Sequence, residues 1–507
     1  MRKNSVFIGV GFLLIIFVIF LIRGGVFLDP DFGWHLRMGE IIRESGIPKG
    51  DPLSYTMPTF GFVDHEWLTN VSISYIYSIF GMWGLAVCFS LFAVLAITFS
   101  LIRTKEADKF HQRIAINKFI PNIAVLLSFS VLLPFFGVRP QVLSWFFLAI
   151  ILWILFKKWN YLKARFAVVP LILLWTNMHG SFAIGVGVLS LFIFIKSVRR
   201  RRFEFSEIAV LLASFAVTFL NPYGVRLWGE VWMQLSDTSL RWSISEWMPA
   251  ILMVDFSFIS LLVLSISLIY RYRSKFTIEE LSLFFLVLFS AILSRRHVPL
   301  WVIVGLPMTT ACLSYFYDEV KLIKQANMRL KKVYIYAWVG TLVIFSSQAF
   351  FSLRSAYLLT EDKYYPSRAV VYLQIEMPKG NIFSEYGWGG YLNWKLPQKR
   401  VFIDGRMPSW KWDKNPEGEL GNAFDTYTKL LEGKTDYKQI FNTFNVDYVL
   451  WPKVVTKGAI DILAQRIENF FVKDDEKEEF VFLEQLGKDG WQIVYEDSVS
   501  AIYRRSD

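Results

Sequence analysis

Residues able to move protons collect in one short stretch. Asp29-Pro-Asp31-Phe-Gly-Trp34-His35-Leu-Arg-Met-Gly39 is followed, twenty-five residues on, by Asp64-His65-Glu66-Trp67. Carboxylates and imidazoles can act as general acids and bases or as metal ligands. Asp31 and His35 are four residues apart and so share a helix face. Asp29 before Pro30 reads as a helix N-cap with proline at the first helical position. Asp31 reads as functional, against the simpler role of a favourable charge at a helix N-terminus. Asp64 can cap a helix starting near His65, which would put Glu66 in its first turn.

These groups need elements to hold them, and composition indicates which. The chain has 507 residues, 54% hydrophobic and 19% charged, with a formal net charge of +11. Charges are sparse up to about residue 350 and ordinary beyond it, which fits a polytopic membrane protein with a soluble tail. The basic residues sit in short loops between apolar runs, as in 103–118 and Arg199 to Arg202. The positive charge therefore marks topology rather than nucleic-acid binding. Both cysteines, Cys88 and Cys312, lie inside apolar runs and suggest no disulfide or metal framework.

The run from Ser5 to Ile22, preceded by Arg2 and Lys3, reads as a retained first membrane helix with the N-terminus inside. Trp34, Met38, Ile41 and Ile42 recur at helical spacing, which predicts an amphipathic helix on the membrane surface, ended by Gly46 and Pro48. Residues 67–80 are short for a span and read as interfacial, and 83–102 is a full span. Continuing to 333–350 gives about eleven spans. The expected domains are a transmembrane part, 1–351, with an external loop 23–66, and an external α/β domain, 352–507. In the tail, 381–384, 400–404, 447–451 and 491–495 read as strands and 425–441 as helical. Gly387-Trp-Gly-Gly390 lacks the spacing of a nucleotide loop and reads as a turn before a helix at Tyr391. Asp404-Gly-Arg406 reads as a local pair or an acceptor-facing loop.

With this topology, His35, His65, His179 and His297 fall at external helix ends, and only His111 is cytoplasmic. Asp29, Asp31, Asp64, Glu66 and Glu246 share that side with Arg139, Arg241, Arg295 and Arg296. Such a set supplies a base and guanidinium forks for a phosphate. The catalytic candidates are Asp31, Glu66 and His35. The substrate-binding candidates are Asp29, His65, Arg139, His179, Arg241, Glu246, Arg296 and His297.

The ordered motifs Asp29-x-Asp31-x-x-Trp34-His35-Leu-x-x-Gly39, His65-Glu66-Trp67-Leu68, Asn177-x-His179-Gly180, Asn221-Pro222-x-Gly224, Glu246-Trp247 and Asp404-Gly405-Arg406 resemble a bacterial branch of the GT-C superfamily. These are membrane glycosyltransferases that use polyprenyl-phosphate sugars. The resemblance implies a GT-C-like polytopic helical fold and sugar transfer to a glycan, lipid or protein acceptor on the outer face of the cytoplasmic membrane. It also implies a multi-pass protein with its C-terminal domain outside. An acidic residue of the first external loop activates the acceptor in such enzymes, and Asp31 matches best. Some members bind a divalent metal ion, which makes that ion a candidate cofactor. Two other classes compete. A transporter or flippase of a lipid-linked glycan would carry polar residues in mid-span, and these spans show few. A non-catalytic envelope interaction protein would not need eleven spans.

Overall fold

The computed structural model describes residues 2–103, 120–237, 242, 244–252, 255–322, 328–453 and 481–506. They form two compact units. One comprises Met1–Leu28 and Val63–Tyr357, the other Asp29–Phe62 and Leu358–Asp507. The segment drawn above as an external loop of a 1–351 part thus folds with the C-terminal residues. The loop 103–118, His111 and Arg241 lie outside the described residues.

The first unit is helical throughout its described elements. Among the described residues, five helices are long and apolar enough to cross a membrane: Trp67–Leu101, Gln141–Lys158, Phe182–Arg200, Arg295–Glu319 and Ile335–Leu358. Four shorter apolar helices accompany them, Gly11–Val26, Ile123–Phe135, Phe205–Phe219 and Phe256–Arg271. Caps mark several starts. The Asp255 carboxylate accepts the N–H groups of Ser257 and Phe258, and Thr277 with Glu280 forms a reciprocal capping box at Ile278–Leu293. The helix Trp67–Leu101 breaks at Gly81, where φ is 62°. That backbone region suits glycine, and it separates the short 67–80 piece from the longer run that follows. Fourteen residues rise about 21 Å, less than the roughly 30 Å of a hydrocarbon core.

The second unit carries a four-stranded sheet, with β1 Asn381–Ser384, β2 Val446–Pro452, β3 Gln492–Glu496 and β4 Ser500–Arg504. The order is β1-β2-β4-β3, with β1 parallel to β2 and the other pairs antiparallel. Phe383 lies at the centre of the core beneath the sheet, ringed by Phe402, Tyr427, Phe441, Trp451 and Phe482.

Two elements of the tail differ from expectation. Residues 400–404 are not a strand of the sheet. Val401 instead bridges Ser54, and Thr56 Oγ1 donates to the Phe402 carbonyl at 2.7 Å, so the extended segment pairs with the 53–56 loop. The predicted 425–441 helix is two helices, Ala423–Leu431 and Tyr437–Thr443. Gly433 at φ 69° separates them, and Asn422 and Asp436 cap their starts.

The helix Phe32–Ser45 ends at Gly46, φ 82°, as its sequence indicates. Its apolar stripe does not need a bilayer. Trp34 and Met38 pack on Leu53, with Ile41, Ile42 and Phe62 around them. Helical periodicity shows that one face must be covered but not by what.

Candidate functional site

Each unit gathers its own cluster of the predicted residues. In the helical unit, the chain reaches the head of Trp67–Leu101 through Asp64-His65-Glu66. The Asp64 carboxylate accepts the Glu66 N–H at 3.0 Å and the Asn70 side-chain amide at 2.8 Å, closing the first turn. Trp67 Nε1 donates to Asn177 Oδ1 at 2.9 Å, and Thr69 Oγ1 donates to the Met178 carbonyl at 2.6 Å. Those bonds draw the Asn177-Met-His179-Gly180 turn against the same helix start. Glu66 Oε1 lies 3.4 Å from His65 Nε2 and 3.3 Å from His179 Nε2. Gly180 is required here, since a side chain would press on the His65 ring at 2.8 Å.

Hydrogen bonding sets the tautomer of His179. The Ser181 backbone N–H points at Nδ1, 3.2 Å away, so Nδ1 accepts and the neutral ring carries its proton on Nε2, the nitrogen near Glu66. Ser144 Oγ, 2.7 Å from Nδ1, is itself bonded by Trp175 Nε1 at 2.8 Å. Burial, reinforced by the Glu66 charge, pushes the Asp64 carboxyl up to about 6. Burial pulls the His65 imidazole down, but the hydrogen bond and charge of Glu66, with the charge of Glu230, outweigh it and leave His65 raised. The Glu66 charge thus raises the proton affinity of both neighbouring groups. Tyr223, of the Asn221-Pro-Tyr-Gly motif, is raised by burial and then by the Asp64 charge, so this third motif reaches the same cluster.

The remaining candidates in this unit divide. Arg139 is bound to Glu246 at 2.5 Å, and its charge holds Glu246 below the usual carboxylate range. Arg296 donates its backbone N–H to the Glu246 carbonyl and lays its guanidinium over Trp247, 5.0 Å from the ring centre. Among the described residues Arg296 has no ion-pair partner, yet its charge is felt at His65. His297 meets Ser290 Oγ at 2.7 Å across a helix end.

In the second unit, Asp29 Oδ1 accepts the Asp31 N–H at 2.9 Å, which is capping work although the helix proper begins at Phe32. Asp31 makes no capping bond with its side chain; its Oδ1 accepts Trp34 Nε1–H at 3.0 Å. His35 is buried and stacks on Trp34 with 3.7 Å between ring centres, so it reaches Asp31 through that indole. Behind this helix start lies Arg406, wholly buried. It pairs with Asp404 and Asp51 at 2.7 Å each, and its face meets Trp34, Phe62 and Trp410. Asn393 donates to Asp404, and Asp51 also accepts the N–H groups of Leu53 and Ser54.

A divalent ion, the cofactor raised by the motif resemblance, was tested against these groups. Among the described residues no set of three His, Cys, Asp or Glu side chains is arranged to hold one.

Comparison with solved structures places this arrangement. The archaeal oligosaccharyltransferase AglB from Archaeoglobus fulgidus, in complex with an inhibitory peptide and a dolichol-phosphate, matches 98% of this chain and 74% of its own. The TM-score is 0.53 at 11% identity. The same enzyme in complex with zinc and sulfate matches 97% of this chain and 73% of its own, with a TM-score of 0.56 at 14% identity. The chain has the GT-C fold. ArnT from Cupriavidus metallidurans, bound to undecaprenyl phosphate, overlays with a TM-score of 0.48 at 12% identity, covering 99% of this chain and 98% of its own. No protein-family model and no curated protein matches the sequence.

Within the GT-C fold, several residues that build the clusters carried no sequence signal. Ser144 and Trp175 lie inside apolar spans and Asn70 inside the 67–80 segment read as interfacial, and no spacing singles them out. Asp51 sits in a turn-like segment, and only its partner Arg406, 355 positions away, shows its function.

Proposed function

We propose that this chain is an enzyme, a multi-pass glycosyltransferase of the cytoplasmic membrane. It moves a sugar from a polyprenyl-phosphate carrier to an acceptor on the outer face. About eleven crossings, with the N-terminus inside and the C-terminal residues outside, belong to the same reading. One observation carries it: the Glu66–His65–His179 cluster with Arg296 near it, set in a fold whose solved example was captured with a dolichol-phosphate.

The reaction asks little covalent chemistry of the protein. Asp31 takes the proton of an acceptor hydroxyl, whose oxygen attacks the anomeric carbon. The bond from that carbon to the phosphate oxygen breaks with inversion, and its electron pair leaves with the phosphate. Within the helical unit, Arg296 is the cation suited to a carrier phosphate. Arg139 instead holds Glu246. In that unit Glu66, gripped by two imidazoles, is suited to sugar hydroxyls; in the second unit Asp29 and Trp34 hold Asp31 by hydrogen bonds and His35 backs Trp34.

The test is transfer from a panel of radiolabelled undecaprenyl-phosphate hexoses in purified membranes, at equal folded amounts of protein. Arg296→Ala is expected to slow release of the carrier phosphate while Arg139→Ala chiefly lowers stability. A wild type that uses no donor of the panel overturns the reading. A fully active Asp31→Asn removes Asp31 as the base and leaves Glu66 as the next candidate.

A further inference from the structure

The carboxylate proposed as the base rests against a glycine. A methyl group added to Gly405 would overlap Asp31 Oδ1 and sit 3.0 Å from Asp31 Cγ. Gly405 lies between Asp404 and Arg406, the two ends of the buried charge cluster. The Arg406 backbone N–H and Nε both donate to Asp404 Oδ1, at 3.0 and 2.9 Å. A second arm of the guanidinium reaches Asp51 at 2.7 Å, and none of the three side chains is exposed. A loop pinned at both flanking residues cannot yield to a side chain pressing on it.

The same oxygen, Asp31 Oδ1, accepts the Trp34 Nε1–H, while the Arg406 guanidinium lies 5.9 Å from the Trp34 ring. The 404–406 loop therefore bears on Asp31 twice, directly through Gly405 and indirectly through Trp34. Three further glycines complete the seam. Side chains at Gly389 and Gly390 would run into the carbonyls of Ile403 and Pro30 respectively, and one at Gly33 would run into the Gly390 carbonyl. The Gly387-Trp-Gly-Gly390 run, which is no nucleotide loop, lets three stretches of backbone touch.

From this packing we infer that Asp404-Gly405-Arg406 is the positioning element of the reaction, a rigid wall that fixes where the Asp31 carboxylate stands. Gly405 acts by having no side chain. The inference rests on Asp31 being the base, and it assigns a role in that reaction to a loop 374 positions further along the chain.

The seam glycines differ in a way that makes the idea testable. At Gly33, Gly389 and Gly390 an alanine would strike backbone, which cannot move without undoing the packing. At Gly405 it would strike the tip of a side chain that can rotate away. Gly405 also does not have the positive φ that would strain an alanine. Gly405→Ala is therefore expected to fold and to keep its donor KM, but with its base displaced by about an ångström. Displacement on that scale costs on the order of a hundredfold in kcat.

The decisive measurement is a double-mutant cycle on kcat for transfer from whichever undecaprenyl-phosphate hexose the wild type uses. It compares Asp31→Asn, Gly405→Ala and the double variant, with thermal midpoints recorded for each. If the wall acts through Asp31, the double variant is no slower than Asp31→Asn. Should Gly405→Ala keep near-wild-type kcat, or should the two losses multiply, the positioning role is overturned and Asp31 stays the base. Near-wild-type turnover by Asp31→Asn defeats the base assignment and this inference with it. Gly390→Ala serves as the structural control, and its thermal midpoint should fall where that of Gly405→Ala does not.

Discussion

The two charged clusters both bury carboxylates and balance them in opposite ways. In the second unit Arg406 faces two carboxylates, each carboxylate oxygen is tied to a donor, and the side chains are sealed from water. In the helical unit Glu66 is shared by two imidazoles, Asp64 is pushed up to about 6, and His65 is raised. The first arrangement locks charge in place; the second leaves protonation states close enough in energy to change. A buried ion cluster of the first kind says little about net stability, yet removing one member exposes the others to the full cost of burial. A cluster of the second kind is where a small change in pH or ligand is felt.

The largest expected effect falls on the carboxylate that rests against the locked cluster's loop. Asp31→Asn preserves shape and removes the base, and it should lower kcat by about a hundred- to ten-thousand-fold with an unchanged thermal midpoint. Arg406→Met attacks the locked end. It leaves Asp404 and Asp51 buried without their cation, and should cost about 3–5 kcal/mol in stability, read from chemical denaturation in detergent. Glu66→Gln in the tunable cluster should slow transfer by less than Asp31→Asn does, on the order of tenfold, because its role is to hold rather than to accept the proton.

A pH experiment sharpens the contrast further. Asp64 has a higher pKa folded than unfolded, so its proton favours the folded state. The stability it contributes is complete below about pH 4 and is lost as pH rises through about 6. The thermal midpoint of the wild type should therefore fall across that window relative to Asp64→Asn; parallel curves for the two would show that Asp64 is not raised. The smallest effect belongs to an exposed pair. Lys429→Ala breaks only the surface contact with Asp425 and should cost about 0.3 kcal/mol.

Local features of the chain were readable because their causes are local. Gly46 ended the Phe32–Ser45 helix, and a charged head preceded Trp67–Leu101. The shared side of Glu66 and His179 followed from counting crossings, but their 3.3 Å approach did not. It depends on how helices more than a hundred residues apart pack, which no spacing rule expresses. The same limit explains the 400–404 segment. Its β-type residues predicted extended backbone correctly, but the partner was the 53–56 loop rather than the sheet. The membrane-surface reading of the Trp34, Met38, Ile41 and Ile42 stripe failed for a related reason, since lipid and protein cover an apolar face equally well.

The second unit is assembled from both ends of the chain, and this sets a timetable for its synthesis. Residues 29–62 leave the ribosome early, carrying Met57, Tyr55 and Phe60, whose packing partners are Phe402, Trp410 and Phe444. At roughly 5–20 residues per second, some 300 intervening residues take on the order of 15–60 seconds to translate. For that interval the helix bearing Asp31 has no core to join and Asp51 has no Arg406. The early segment must be kept from aggregating while the membrane helices are made, so a newborn chain has a base residue long before it has the wall behind it.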